Sequence, residues 1–152
     1  MEIRTASMKD VDAIIELSSQ LCINEHNFYD NTVDVDFPIK NQDQFKKNMR
    51  NGFGLAIVAI NMGKIEGYLI GSISETEDYR NLDQIAEIDS MFVKPNIRSK
   101  GVGEEMMNRF IQWANVQVKR VKVVVSAKNN RGIKFYRKAG FVDHEIVLEM
   151  KI

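Results

Sequence analysis

Arg98-Ser99-Lys100-Gly101-Val102-Gly103 stands between an apolar run, Ile85-Ala86-Glu87-Ile88-Asp89-Ser90-Met91-Phe92-Val93, and a stretch in which Val102, Met106, Phe110, Trp113 and Ala114 recur at helical spacing. The run predicts a central strand and the repeat an amphipathic helix, so the six residues form a strand-to-helix loop. Glycines let backbone approach a ligand closely, and the first turn of a helix leaves N–H groups unpaired at a positive dipole end. The loop is therefore a candidate anion site, or in its plainer form a tight turn. Arg98 and Lys100 add charge that suits a pyrophosphate better than a single carboxylate.

Outward from this loop the pattern predicts alternating elements. Ile3-Arg4-Thr5 is a short strand, followed by a helix in which Val11, Ile14, Ile15 and Leu17 are spaced for one face, with Ser7 and Asp10 as N-caps. Periodicity is lost from Asn24 to Pro38, and Asp43 to Asn51 predicts a second short helix. Leu55 to Ile60 and Ile65 to Ile73 flank a turn-like Asn61-Met62-Gly63-Lys64 and predict a hairpin; Glu75 to Gln84 is a loop. Lys119 to Ala127 predicts a strand, Arg131 to Lys138 a helix, and the alternation of Ile146, Leu148, Met150 and Ile152 a last strand. The order is a mixed α/β sheet with helices on its faces. No repeat or Gly/Ser/Pro linker divides the chain, so residues 1–152 are expected to form a single domain.

Composition removes several classes. No apolar run approaches the roughly 18 residues of a membrane span, and the first residues carry early charges with no apolar stretch after them, unlike a secretory leader. One cysteine, Cys22, makes no internal disulfide, which favours a cytoplasmic setting. Cys22 and His144 have no ligand-spaced partners, so no metal is expected, and His26 is read as a surface histidine. The formal charge of zero conceals a division: residues 1–93 carry 8 basic and 16 acidic side chains, residues 94–152 carry 13 and 5. From Lys94 to Gly140 there are 12 basic residues against Glu104 and Glu105. This split favours an anionic ligand for the later segment and a cationic or neutral one for the earlier. Without interleaved aromatics on strands, and with an acidic first part, nucleic acid is not the expected anion.

The loop does not fit a P-loop, which needs a glycine followed by Lys-Ser or Lys-Thr. It also lacks the third small residue and the later acidic residue of a dinucleotide fingerprint. It does fill R/Q-x-x-G-x-G/A between strand and helix. Downstream, Asn129-Asn130-Arg131-Gly132-Ile133-Lys134-Phe135-Tyr136-Arg137-Lys138-Ala139-Gly140-Phe141 fills N-x-x-A/G-x-x-x-Y with an aromatic after glycine, and Met8-Lys9-Asp10-Val11-Asp12-Ala13-Ile14 supplies an acidic start to the first helix. In these three segments the chain resembles the GNAT N-acetyltransferases, most specifically from Ala86 to Phe141.

The resemblance implies a mostly antiparallel sheet of six to seven strands with about four helices, splayed between strands 4 and 5. It implies acetyl-CoA as co-substrate. The pantetheine arm would pair with backbone at Met91, Phe92 and Val93, while Arg98, Ser99, Lys100, Gly101, Val102, Gly103 and Glu104 hold the pyrophosphate. Asn129 would contact the pantetheine, or serve as a helix cap. Tyr136 would protonate the departing thiolate, which suits a phenol of ordinary pKa near 10; its alternative is a core aromatic beside Phe135 and Phe141.

An acceptor ammonium must lose a proton before attack, a cost of roughly 4 to 5 kcal/mol at neutral pH. Glu87 resembles the glutamate base of histone-type members, with an internal salt bridge as its alternative; Asp89 and ordered water compete for the role. Strict alternation would place Glu87, Asp89 and Met91 on one face and Ala86, Ile88 and Ser90 on the other. The expected activity is direct transfer of an acetyl group to a primary amine in a ternary complex, against a catalytically silent acyl-CoA-binding module. Acidic residues between Asn24 and Met49 and between Thr76 and Gln84 favour a cationic acceptor, a small molecule or a peptide amine. The resemblance also allows a homodimer whose interface no residue fixes.

Overall fold

A computed structural model describes residues Met1–Ile152. Its centre is the hairpin of β2 (Gly54–Asn61) and β3 (Lys64–Glu75), closed by Met62 and Gly63 with φ of 50° and 77°. Two positive φ values in a two-residue connection match the twist of the flanking strands. β1 (Glu2–Thr5) pairs antiparallel with β2, and β4 (Gln84–Val93) antiparallel with β3. β5 (Val121–Val123) joins the far side of β4 in parallel, giving the order β1-β2-β3-β4-β5. The parallel step requires a crossover, supplied by α4 (Val102–Asn115).

Both faces of β2 are covered, which explains its unbroken apolar sequence. Ile57 and Ala59 join Leu69, Ile73, Ile88 and the buried α4 residues Met106, Met107 and Phe110. Ala56 and Val58 join Tyr68 and Phe92 under Ile14 and Leu17 of α1 (Val11–Phe28). Full burial of a side chain such as Phe110 is worth about 1.5 to 3 kcal/mol. Gly71 makes the close approach of α4 feasible, since a Cβ there would lie 2.4 Å from the Phe110 ring and 2.5 Å from the Glu87 carbonyl. Ahead of α1, the Asp10 carboxylate accepts from Arg4 Nη1 at 2.8 Å, Arg4 Nη2 at 3.0 Å and the Ser7 backbone N–H at 2.7 Å, tying β1 to the helix start.

Several expectations are corrected. The sheet has five strands rather than six to seven, with five α-helices. The first helix runs on to Phe28, and a short α2 (Phe37–Lys40) precedes α3 (Gln42–Arg50). Expected strand Lys119 to Ala127 contracts to three residues. The expected last strand, Ile146 to Ile152, makes no ladder: residues 141–152 run without regular structure, with Ile146 and Leu148 84% and 89% exposed. Alternation specifies which residues share a face, but a strand needs a neighbour to exist.

The alternation expected in β4 also fails at one point. Ile70 pairs with Ser90 and Gly71 with Ile88, so Asp89 is the extra residue of a bulge. Ala86 and Ile88 face α4 before it, and Met91 and Val93 face α4 after it. Glu87 pairs with Ser72, on the side of Tyr68 and Phe92, so Glu87 and Met91 do not share a face. The β4–β5 ladder ends at Ile88 and Val123, leaving Asp89–Val93 without a strand partner on that side. This is the expected splay.

Candidate active site

Beyond the splay the chain builds its loop from strained and cationic parts. A short 3-10 turn, Pro95–Ile97, follows β4, then Ser99 and Gly101 take φ of 61° and 77°. Serine rarely occupies that region, and such backbone is found where a site requires it. Gly101 is the N-cap of α4 and offers no side chain to its amides, so the N–H groups of Val102, Gly103 and Glu104 are free for an anion.

Arg98 fixes the loop to the strand: its Nε donates to the Val93 carbonyl at 2.6 Å, and its guanidinium lies 5.6 Å from the Phe92 ring centroid. Burial, and then the nearby charge of Arg131, draw the Arg98 pKa below its ordinary value. Neither arginine has an ion-pair partner within the chain. Two adjacent guanidiniums without a carboxylate form a strong anion site.

These groups line one cavity of about 730 Å³. Met91, Phe92 and Val93 form its strand side, Ser99, Gly101, Val102, Gly103 and Glu104 its loop side, and Asn129, Arg131 and Tyr136 the side of α5 (Asn130–Lys138). Of the loop residues singled out in the sequence, Lys100 is not on the lining. Asn129 is the N-cap of α5: its Oδ1 accepts from the Gly132 N–H at 2.9 Å, so the capping role is real and the side-chain amide N–H groups remain as donors.

Tyr136 is half-buried, with ring centroids 5.1 Å from Phe135 and 5.5 Å from Phe141, both edge-on. It packs as a core aromatic and lines the cavity as well. Burial pushes its phenol up to about 12, so it is a protonated donor throughout the neutral range.

Glu87 and Asp89 do not line this cavity. Glu87 Oε2 lies 3.5 Å from Lys122 Nζ across the β4–β5 ladder, the ion pair that was its structural alternative. Asp89 accepts from Ser72 Oγ at 2.9 Å. Although its residue surface is open, dense protein around the carboxyl raises its pKa to about 6: desolvation first, with Glu87 adding and Ser72 and Lys122 opposing.

Glu25 was noted in the sequence only as one of several acids, yet the extra turns of α1 carry it onto the cavity with Asn24, Phe28 and Tyr29. It has no ion-pair partner, and desolvation raises its pKa, with Asp30 adding to the effect. Unbroken helical periodicity past Leu17, through Leu21, was the available signal. Arg131 was visible within its motif without an assigned role. The loop 76–83 lies elsewhere, lining a separate pocket with Gln117, Val118 and Lys119 at the other end of α4. His26 Nδ1 hydrogen-bonds with the Val33 carbonyl at 2.9 Å, and Cys22 is a free thiol. No group of three or more metal-ligating side chains occurs, and no helix is long and apolar enough to cross a membrane.

Residues 20–141 match the model of the acetyltransferase (GNAT) family. Among curated relatives, an uncharacterized N-acetyltransferase of Methanocaldococcus jannaschii is 35% identical over 65 residues, 42% of this chain and 29% of that protein. An N-acetyltransferase 9-like protein of Caenorhabditis briggsae is 32% identical over 72 residues, 45% of this chain and 36% of that protein. The alignment thus spans about a third of the length of these relatives. Among solved structures, a mutant of the BH1408 protein of Bacillus halodurans superposes with a TM-score of 0.86 at 20% identity, covering 100% of this chain and 99% of the other. A predicted acetyltransferase of Clostridium acetobutylicum, solved with acetyl-CoA, gives 0.81 at 20% identity, covering 99% and 95%. These structural likenesses show a common fold.

Proposed function

Because the chain belongs to the acetyltransferase (GNAT) family, we propose that it is an acetyl-CoA-dependent N-acetyltransferase acting on a primary amine by direct transfer, organised as a single domain over residues 1–152. The observation that carries this is the cavity shared by the free α4 amides, Arg98, Arg131, Asn129 and Tyr136. Its donors fit a pyrophosphate with a polar, partly extended arm: guanidiniums and amides for the anion, and the unpartnered edge of β4 from Asp89 to Val93 for the arm. When bound, acetyl-CoA supplies the thioester that the amine attacks.

The chain's own residues then divide the work. Arg98, Arg131 and the amides of the glycine loop bind and orient the anionic end, with Lys100 contributing charge from outside the lining. Backbone at Met91, Phe92 and Val93 aligns the arm, Arg98 already occupying the Val93 carbonyl, and Asn129 donates from its side-chain N–H. Tyr136 delivers its proton to the thiolate sulfur. Asp89, upstream of Met91 along β4, Glu87 or ordered water takes the amine's proton; neither carboxylate lines the cavity, so either would act through water, and Glu87 is also tied to Lys122. Glu25 attracts a cationic acceptor into the same cavity as Tyr136.

Titration calorimetry with CoA, followed by free-thiol release from acetyl-CoA across a panel of amines, tests the proposal. Amine-dependent release supports it; CoA binding without release for any amine leaves the silent acyl-CoA-binding module. An aminoglycoside N-acetyltransferase solved with CoA shares the fold at a TM-score of 0.76 and 16% identity, so polycationic amines belong in that panel.

A further inference from the structure

We propose that Lys138 forms a second anion subsite on the active-site cavity, one that takes the phosphate monoester on the ribose of CoA and lets the chain distinguish CoA from dephospho-CoA. The proposal rests on the acetyl-CoA reading above and gives a role to a residue that reading left unused.

The starting observation is a cation left over. The stretch from Lys128 to Lys138 carries five basic side chains, and of these only Arg131 and Lys138 line the cavity. Arg137 is held by Asp143, to which it donates at 3.0 and 2.6 Å. Arg131 lies close enough to Arg98 for its charge to lower the pKa of that guanidinium, so both belong to the anion site already described. Lys138 is exposed and has no ion-pair partner; Glu25 and Glu104, the acids on the same lining, do not pair with it.

Helix geometry keeps the two cations apart. Arg131, Phe135 and Lys138 follow one another at i, i+4 and i+7, which puts them on one stripe of α5. Phe135 is the fixed point of that stripe: a Cβ on Gly103, in the first turn of α4, would lie 3.3 Å from its ring. The α4 amides proposed to receive the pyrophosphate are therefore beside Phe135, with Arg131 towards the start of α5 and Lys138 towards its end. Seven residues of helix set the Cα atoms of the two cations about 10 Å apart. Arg131 joins Arg98, while Lys138 stands alone on the other side of Phe135.

CoA carries its charge in the same two places, a pyrophosphate and a separate phosphate monoester. The monoester holds about −1.5 to −2 charges near neutrality, and an ammonium with rotatable donors meets such a compact group without the planar fork of arginine. Two guanidiniums for the pyrophosphate and one ammonium for the monoester match that division. A lysine in the last turn of a helix also complements the helix dipole, but that plainer role makes no distinction between the two forms of the ligand.

Titration calorimetry of the parent and Lys138→Gln, each with CoA and with dephospho-CoA, separates the two roles. The parent should bind CoA about fivefold more tightly than dephospho-CoA, the scale of one exposed charged contact. Lys138→Gln should lose that factor for CoA and bind dephospho-CoA as the parent does, and Lys138→Arg should restore the preference. Thermal melting without ligand should be alike in all three, because Lys138 makes no ion pair in the free chain. Equal affinity of the parent for both ligands overturns the subsite and leaves the acetyl-CoA reading standing, as does a loss in Lys138→Gln that is the same for both. Absence of CoA binding in the parent overturns the reading and the subsite together.

Discussion

Tyr136 lies edge-on to Phe141, ring centroids 5.5 Å apart and planes at 75°, and this packing holds its hydroxyl-bearing ring at the cavity that also receives Arg98 and Asn129. Removing only the hydroxyl should leave the packing intact. Tyr136→Phe is expected to bind CoA as the parent does and to lose about a hundredfold or more in kcat, the usual scale of a general acid. Steady-state kinetics beside calorimetry checks it; unchanged kcat would remove Tyr136 from acid duty.

Asp89 gives the pH prediction. Its raised pKa, about 6, means that it binds a proton as pH falls through that value and can no longer accept one from the amine. The parent's kcat/KM should therefore decline below about pH 6. Asp89→Asn should lower kcat/KM at neutral pH and abolish that limb. Its melting temperature should not fall, because the folded state disfavours the charged carboxylate. Glu87→Gln should shift the limb downward, since the Glu87 charge helps hold the Asp89 pKa up. A limb identical in all three proteins contradicts the assignment of the base.

Glu25 predicts acceptor preference. Glu25→Gln should raise KM about tenfold for a diamine or polyamine, the scale of one partly buried charged contact, with little change for an amine bearing no second cation. A KM rise equal for both acceptors would mean that the residue shapes the cavity and does not read charge.

Asp10 predicts acid sensitivity of the fold. Hydrogen bonds from Arg4, outweighing desolvation, hold its carboxyl at about 2 against an ordinary 3.8. A depressed carboxylate stabilises the fold above the unfolded pKa, and that contribution is lost as pH falls from about 4 towards 2. Asp10→Asn should cost roughly 2 kcal/mol near neutrality and progressively less on acidification, measured by urea unfolding at several pH values. A cost that does not change with pH would mean that the charge is not what stabilises the fold.

The residues that announce the fold are those whose identity is dictated locally. Gly101 sits at a φ of 77° as the loop requires, Asn129 caps the helix it precedes, and β2 and β3 are buried densely enough to read as strands. Long-range relationships were not legible. The bulge at Asp89 lies beside Gly71, against which Phe110 packs across the sheet, and it takes Glu87 off the face of Met91. The position of Glu25 follows from how far α1 continues over polar residues whose sequence looks like a loop. Residues 146–152 carry a strand's alternation but no intrachain partner, which a single sequence does not reveal.

The most direct measurement of the central claim is thiol release from acetyl-CoA, followed with and without a cationic primary amine, for the parent chain and Tyr136→Phe side by side. Release that depends on the amine, with a mass increase of one acetyl group on it and loss of turnover but not of CoA binding in Tyr136→Phe, is the predicted result. Acetyl-CoA bound by both proteins with no amine ever acetylated would contradict it.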